Sequence, residues 1–183
     1  MKILFINACA RTNSRTMVLA QEVLKNLEGD IKELKLFDMD LKPLDEERIS
    51  TRLTEPKHQV LAKEFAESEI ILIAAPIWDM SFPAILKIYI ENITITGITF
   101  KYTSDGPMGL CKAKQVYYVS TCGGNYVMDF GFNYVKTLFS VMFGIKNFTL
   151  FTADKLDMRG SNVSGILEET IEEIDTYFNN DKE

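Results

Sequence analysis

Apolar residues along the chain fall into short continuous runs, separated by longer stretches in which they recur every three or four positions. The runs Lys2–Ile6, Ile31–Leu36, Ile70–Ala74, Gln115–Ser120 and Asn147–Phe151 are rich in Ile, Val, Leu, Phe and Tyr, as parallel strands buried on both faces are. Between them, helical spacing predicts helices near Ser14–Leu27, Glu55–Glu67, Phe82–Thr96, Asp129–Phe143 and Asn162–Phe178. In the third of these, Phe82, Ile85, Leu86, Tyr89, Ile90 and Ile93 share one face. Ser81 is placed as its N-cap and Pro83 in its first turn. Five strands alternating with five helices predict an α/β fold, a three-layer sandwich around a parallel sheet, in a single domain over residues 1–183.

The most informative stretch runs from Ala75 to Lys87. The apolar segment Ile70–Ala75 stops at Pro76, a short polar and aromatic loop follows, and Pro83 opens an amphipathic helix. A buried strand handing over to a helix in this way marks the carboxyl edge of a parallel sheet, where small molecules bind. Two connections are long, Phe37–Thr54 and Gly97–Lys114. Long loops inside compact domains are usually functional. The second contains Thr99-Phe100-Lys101-Tyr102 and Asp105-Gly106-Pro107, and is expected to form a small hairpin or flap over the ligand edge.

Three loops should meet at that edge. The first, Asn7 to Thr16, carries Arg11, Thr12, Asn13, Ser14 and Thr16 at the start of the first helix. Hydroxyls, an amide and free backbone N–H groups at a helix N-terminus make an anion site with phosphate as its natural guest. The same residues would also serve as a plain helix cap, and Arg11 as a solvated surface charge. The second loop, Pro76 to Ser81, holds Trp78, the single tryptophan. Trp78 either stacks beside a planar ring, with the backbone amides of Asp79 to Ser81 reaching ring heteroatoms, or packs the sheet edge. In the third, Thr121-Cys122-Gly123-Gly124-Asn125-Tyr126, paired glycines let backbone approach a ligand or simply make a turn. One such loop after each of the first, third and fourth strands is a stronger indication than any of them alone.

Charge and composition narrow the partners. The net charge of -6, with acidic residues at Glu168-Glu169, Glu172-Glu173, Asp175 and Asp181 to Glu183, argues against nucleic acid. No apolar run is long enough to span a bilayer. Met1-Lys2 leads straight into Ile3-Leu4-Phe5-Ile6 with no secretory signal pattern, so a cytoplasmic location is expected. Cys9, Cys111 and Cys122 form no CxxC pair and are expected as reduced thiols, and three glycosylation-like sequons then carry no meaning. The Rossmann glycine fingerprint, the P-loop and the hydrolase nucleophile elbow are all missing. The single histidine, His58, lies in a charged helical segment and cannot build a multi-histidine site, so no metal is expected. Cys122 has no evident histidine partner and reads as a loop-packing residue rather than a nucleophile.

At these loops the chain resembles the flavodoxin-like NAD(P)H:quinone oxidoreductases, which include the FMN-dependent NADH-azoreductases. Pro76-Ile77-Trp78-Asp79-Met80-Ser81-Phe82-Pro83-Ala84-Ile85-Leu86-Lys87 is similar to the family's Pro-Met-Tyr-Asn-Phe-x-Ile-Pro-x-x-Leu-Lys. Tyr89-Ile90-Glu91, Gly97-Ile98-Thr99-Phe100-Lys101-Tyr102 and Gly106-Pro107-Met108-Gly109-Leu110 follow in the family's order and at similar spacing. Gly123-Gly124 stands at the family's paired glycines, and Arg11 with Ser14 and Thr16 resembles its phosphate loop. The resemblance extends from Lys2 to about Tyr126. The departures are Cys9-Ala10 for the usual Ser-Pro, Trp78-Asp79 for Tyr-Asn, and no histidine at the glycine loop.

The resemblance implies a five-stranded sheet of order 2-1-3-4-5 with noncovalent FMN at its carboxyl edge. By position, Arg11, Ser14, Arg15 and Thr16 would cradle the phosphate. Pro76, Trp78, Asp79 and Met80 would flank the isoalloxazine, and Thr121, Gly123 and Gly124 would close its pyrimidine side. Asp79 would bring a negative charge that disfavours the anionic reduced ring. Phe100, Tyr102 and Tyr126 would either wall the slot for a small aromatic acceptor or pack as ordinary core or loop residues, with Tyr126 or solvent as proton donor. The implied activity is two-electron transfer from NADH or NADPH, through flavin N5, to quinone, azo or nitroaromatic acceptors in a homodimer with shared sites. The alternatives are a flavodoxin-type single-electron carrier docking on a protein partner, which the acidic charge suits, and a non-catalytic binding domain on the same fold.

Overall fold

The structure, a computed structural model, describes residues 1–126 and 130–180. Strands β1 (Lys2–Asn7), β2 (Asp30–Lys35), β3 (Ile70–Ala74), β6 (Gln115–Thr121) and β7 (Asn147–Ala153) form one sheet. Strands β4 (Phe100–Thr103) and β5 (Gly106–Gly109) pair separately as an antiparallel hairpin. The sheet order is β2-β1-β3-β6-β7 with every pair parallel. Setting the hairpin strands aside, this is the expected order 2-1-3-4-5.

Side chains alternate across the sheet and feed two cores. Leu4, Ile6, Ile71, Ile73, Val116 and Tyr118 pack against α3 (Pro56–Glu67), α4 (Ala84–Ile93) and α5 (Phe130–Val141). Ile3, Phe5, Leu72, Tyr117 and Val119 pack against α1 (Arg15–Lys25) and α6 (Val163–Asn180). Because both faces are covered, β3 is buried at every position, and its sequence carries no polar alternation. No helix among the described residues is long and apolar enough to cross a membrane.

Several elements differ from the sequence expectation. β2 is an edge strand in which only Leu34 is buried, and Ile31 is 41% exposed. Its one neighbour, β1, leaves its other side open, so it needs few apolar residues. Ser81 is not the cap of α4. The helix opens at Ala84 with Pro83 at the N-cap position, and Ser81 closes a turn instead. The long connection after β2 contains a sixth helix, α2 (Glu46–Thr51), capped by the Asp45 carboxylate, which accepts from the Arg48 amide at 2.8 Å. Asp129, expected to begin α5, and the acidic residues Asp181 to Glu183 lie outside the described residues.

The hairpin forms as expected but is rooted away from the carboxyl edge. It follows the C-terminal end of α4, and the chain leaving it donates from Lys112 to Ala66 O and from Lys114 to Glu69 O, beside the amino ends of β3 and β6. Gly109 lies directly on the Phe143–Gly144 backbone, with no room for a side chain. The hairpin therefore does not cover the carboxyl edge of its own sheet.

Two core groups give stability predictions. The Tyr89 hydroxyl is fully buried with no partner among the described residues. Since an unpaired buried hydroxyl carries its desolvation cost, Tyr89→Phe is expected to leave Tm unchanged or raise stability by about 1 kcal/mol, measured by thermal or urea unfolding. Burial pushes the Cys111 thiol from 9.0 up to about 12. Alkylation of Cys111 in the folded protein at pH 8 should therefore be about a thousandfold slower than in the unfolded chain. The stabilisation by the neutral thiol should be complete below pH 9.0 and fade as pH rises toward about 12, as alkylation mass spectrometry and unfolding against pH would show.

Candidate functional site

Backbone pairing continues beyond the strand ends and fixes the loops that leave them. Ala8 donates to Ala74 O at 2.9 Å, Ala75 to Val119 O at 3.0 Å, Ile77 to Thr121 O at 2.9 Å and Cys122 to Ala153 O at 3.0 Å. The buried Ser120 hydroxyl donates to Ala75 O at 2.9 Å. Between these loops lies a cavity of about 320 Å³ at the carboxyl edge.

One end of the cavity is built by the start of α1. Arg11, Asn13, Ser14, Arg15 and Thr16 line it. Ser14 does cap the helix, accepting from the Met17 amide at 3.3 Å. The next two amides, those of Arg15 and Thr16, have no acceptor among the described residues, although Thr16 is fully buried. Unpaired amides at a helix start are the donors an anion takes. Asn7 shapes the loop: its Oδ1 accepts from the Cys9 amide at 2.9 Å while its Nδ2 donates to Glu33 Oε1 at 2.8 Å. Burial raises the Cys9 thiol, a hydrogen bond with Ser14 offsets part of this, and Glu33 adds to the rise. Across the cavity floor the hydroxyls of Thr16 and Thr121 meet at 2.6 Å, both buried.

The second loop is a two-residue reversal. Trp78 and Ser81 exchange both backbone hydrogen bonds at 2.9 Å, and the residues between them, Asp79 and Met80, have φ of 50° and 68°. Positive φ at both central positions makes this a mirror-image type I′ turn. The Ser81 amide is therefore spent within the turn. Those of Asp79 and Met80 have no acceptor among the described residues. Trp78 lines the cavity and also meets Phe37, from the turn after β2, at 6.5 Å between ring centres.

The third loop is fastened to a fourth that sequence reasoning missed. After β7, Lys155 donates to Gly124 O at 2.7 Å, Leu156 to Cys122 O at 3.2 Å and Asp157 to Gly123 O at 2.9 Å. The Tyr126 amide donates to Asp154 Oδ2 at 2.9 Å. Leu156 and Asp157 thereby reach the cavity wall, where Arg15 Nη1 donates to Asp157 Oδ1 at 2.7 Å and to Leu156 O at 3.3 Å. The fold topology was the only available signal, since a loop after the fifth strand must exit at the same edge.

Of the residues singled out from sequence, Arg11, Ser14, Arg15, Thr16, Pro76, Trp78, Thr121 and Gly123 line this cavity together. Met80, Gly123, Gly124 and Tyr126 line an adjoining space of about 290 Å³. Asp79 is exposed at the turn tip and lines neither. Phe100 is no slot wall: it is 4% exposed, inside the core. Tyr102 is 68% exposed on the hairpin, away from both spaces.

A family model described as flavodoxin-like fold matches residues 1–178. A protein named FMN-dependent NADH:quinone oxidoreductase 2 from Clostridium acetobutylicum is 40% identical over 192 aligned positions, covering 93% of this chain and 94% of its own. The crystal structure of an azoreductase from Bacillus anthracis superposes with a TM-score of 0.87 at 22% identity, over 98% of this chain and 99% of that one. An FMN-dependent NADH-azoreductase from Bacillus anthracis, solved in complex with FMN, gives a TM-score of 0.80 at 21% identity, over 98% of both chains.

The Thr16–Thr121 pair offers a test of how the cavity floor is held. Thr16→Val leaves the Thr121 hydroxyl buried without its partner and should cost about 1–3 kcal/mol. The double variant Thr16→Val/Thr121→Val should recover part of that loss. Urea unfolding of the two singles and the double completes the cycle.

Proposed function

The chain belongs to the flavodoxin-like fold family that includes the FMN-dependent NADH:quinone oxidoreductases, and from that membership we propose that it is an FMN-dependent NADH oxidoreductase reducing quinone, azo or nitroaromatic acceptors. The observation that carries this reading is the anion end of the cavity, where two orphan amides, the Arg15 guanidinium and Arg11 meet within one wall. A phosphate monoester supplies the acceptors these donors lack. From that end the cavity lining continues past Trp78 to Gly123, where a ring system attached to the phosphate would lie. Gly124 has open space where a Cβ would be, which leaves room for close approach.

FMN, when bound, supplies hydride acceptance and release at its N5. The chain's own residues bind and orient. Arg11, Ser14, Arg15 and Thr16 would hold the phosphate. Pro76, Trp78 and Met80 would flank the ring, and Thr121, Gly123 and Gly124 would border its other side. Tyr126, beside the adjoining space, bounds the place where donor and acceptor alternate. NADH is the donor in this reading, with NADPH the alternative, and a cytoplasmic setting suits cysteines that form no disulfide among the described residues.

The working form in this reading is a homodimer. The hairpin is rooted at the opposite edge of its own sheet, so Tyr102 reaches a slot only on a second copy. Met80, Phe130 and Met108 present further exposed apolar surface for that contact, which is where association surfaces are found.

The purified protein, titrated with FMN, is expected to bind it and to show the flavin band bleaching in a single two-electron step when NADH is added without oxygen. Parallel addition of NADPH gives the donor preference. FMN binding without bleaching by either nucleotide would move the assignment to an electron carrier, and absence of FMN binding would overturn the cofactor assignment.

A further inference from the structure

We propose that Asp157 is a positioning residue that holds Arg15 ready for a phosphate monoester, and that it thereby sets the cavity's preference for FMN over riboflavin. The inference rests on the FMN reading above and assigns a residue that reading does not use.

The pair joins positions 142 residues apart, the first turn of α1 and the loop after β7, directly at the cavity wall. The Arg15 side chain is 40% exposed and that of Asp157 is 69% exposed. An ion pair so open to water contributes little to stability, so its consequence lies in where it puts the guanidinium. Both acceptors, Asp157 Oδ1 at 2.7 Å and Leu156 O at 3.3 Å, engage the same nitrogen, Nη1. Nη2 and Nε have no acceptor among the described residues. A guanidinium carries five N–H donors in a rigid fork. The two on Nη1 are occupied, and the other three remain on the Nη2–Nε flank, which matches two oxygens of a phosphate. A free arginine loses much rotamer freedom when it fixes an anion; one already gripped loses less.

Asp157 is itself held. Its amide donates to Gly123 O at 2.9 Å, and a Cβ on Gly123 would overlap its carboxylate. The glycine at 123 thus makes room for the carboxylate that orients Arg15. The negative charge of Asp157 acts in the opposite sense, repelling phosphate, but at this exposure it is strongly screened. Positioning and repulsion predict changes of opposite sign when the carboxylate is removed.

The test measures FMN and riboflavin dissociation constants by flavin fluorescence for the wild type, Asp157→Ala, Asp157→Asn, Arg15→Ala and Arg15→Ala/Asp157→Ala. Asp157→Asn keeps the side-chain volume and guards against loss of loop shape. Removing the carboxylate is expected to weaken FMN about three- to tenfold and to leave riboflavin within about twofold. The double variant should bind FMN no more weakly than Arg15→Ala. Unchanged or tighter FMN binding in both Asp157 variants would overturn the inference, as would equal weakening of riboflavin. Those outcomes leave the FMN reading standing, whereas a wild type that binds no FMN overturns both.

Discussion

A parallel strand cannot turn straight back onto its neighbour; the chain must cross over through a helix and re-enter from the same end. With β1, β3, β6 and β7 all parallel, the loops that follow them leave by one edge. Everything at the cavity depends on that constraint. Residues as distant as Arg15 and Asp157 share a wall because their strands point the same way, and for no reason of local sequence. The same constraint excludes the hairpin, which interrupts the return from α4 to β6 and is rooted at the amino end.

Three kinds of contact turn four adjacent loops into one wall. Backbone pairing carries the register of β3, β6 and β7 outward as far as Ile77 and Cys122. The buried hydroxyl pair of Thr16 and Thr121 ties α1 to β6 under the cavity. The backbone bonds from Lys155, Leu156 and Asp157 fasten the last loop onto the glycine loop. The buried contact depends on pairing, since either hydroxyl alone would be an unsatisfied group. The Arg15 contact is exposed and screened, and its effect is orientation.

Much of the layout was legible because burial on both faces forces an unbroken apolar run, as in Ile70–Ala74. β2 was harder to delimit because an edge strand needs little apolar surface, and Leu36 already belongs to the turn that follows it. Ser81 reads as a cap because a hydroxyl before a helix usually is one. The competing turn could not be read, since its centre holds Asp79 and Met80 where Asn-Gly is the usual signal. The first three loops announced themselves through hydroxyls, tryptophan and paired glycines. The fourth, Asp154 to Asp157, has no such composition, and its role comes from partners distant in sequence, the glycine loop and, 142 residues from Asp157, Arg15. Phe100 shows the limit of motif reading within one chain: its place in the pattern suggests a slot wall, and its side chain is core.

The turn at Asp79 and Met80 shows how far local preference yields at this edge. Left-handed backbone costs an ordinary residue about 1–2 kcal/mol. Aspartate tolerates it because its short side chain can bond locally, but methionine has no such compensation. A glycine at position 80 would remove the strain, yet it would also remove the Met80 side chain from the space beside the glycine loop. Met80 O also accepts from the Phe130 amide at 3.2 Å, joining the turn to the start of α5. Strain of this kind persists only where surrounding contacts over-determine the conformation. Here the paired Trp78 and Ser81 backbones below and the Phe130 contact above do so. What the turn gains is a Met80 side chain held beside the glycine loop, with two adjacent amides left unspent among the described residues, in a loop too short to relax around them.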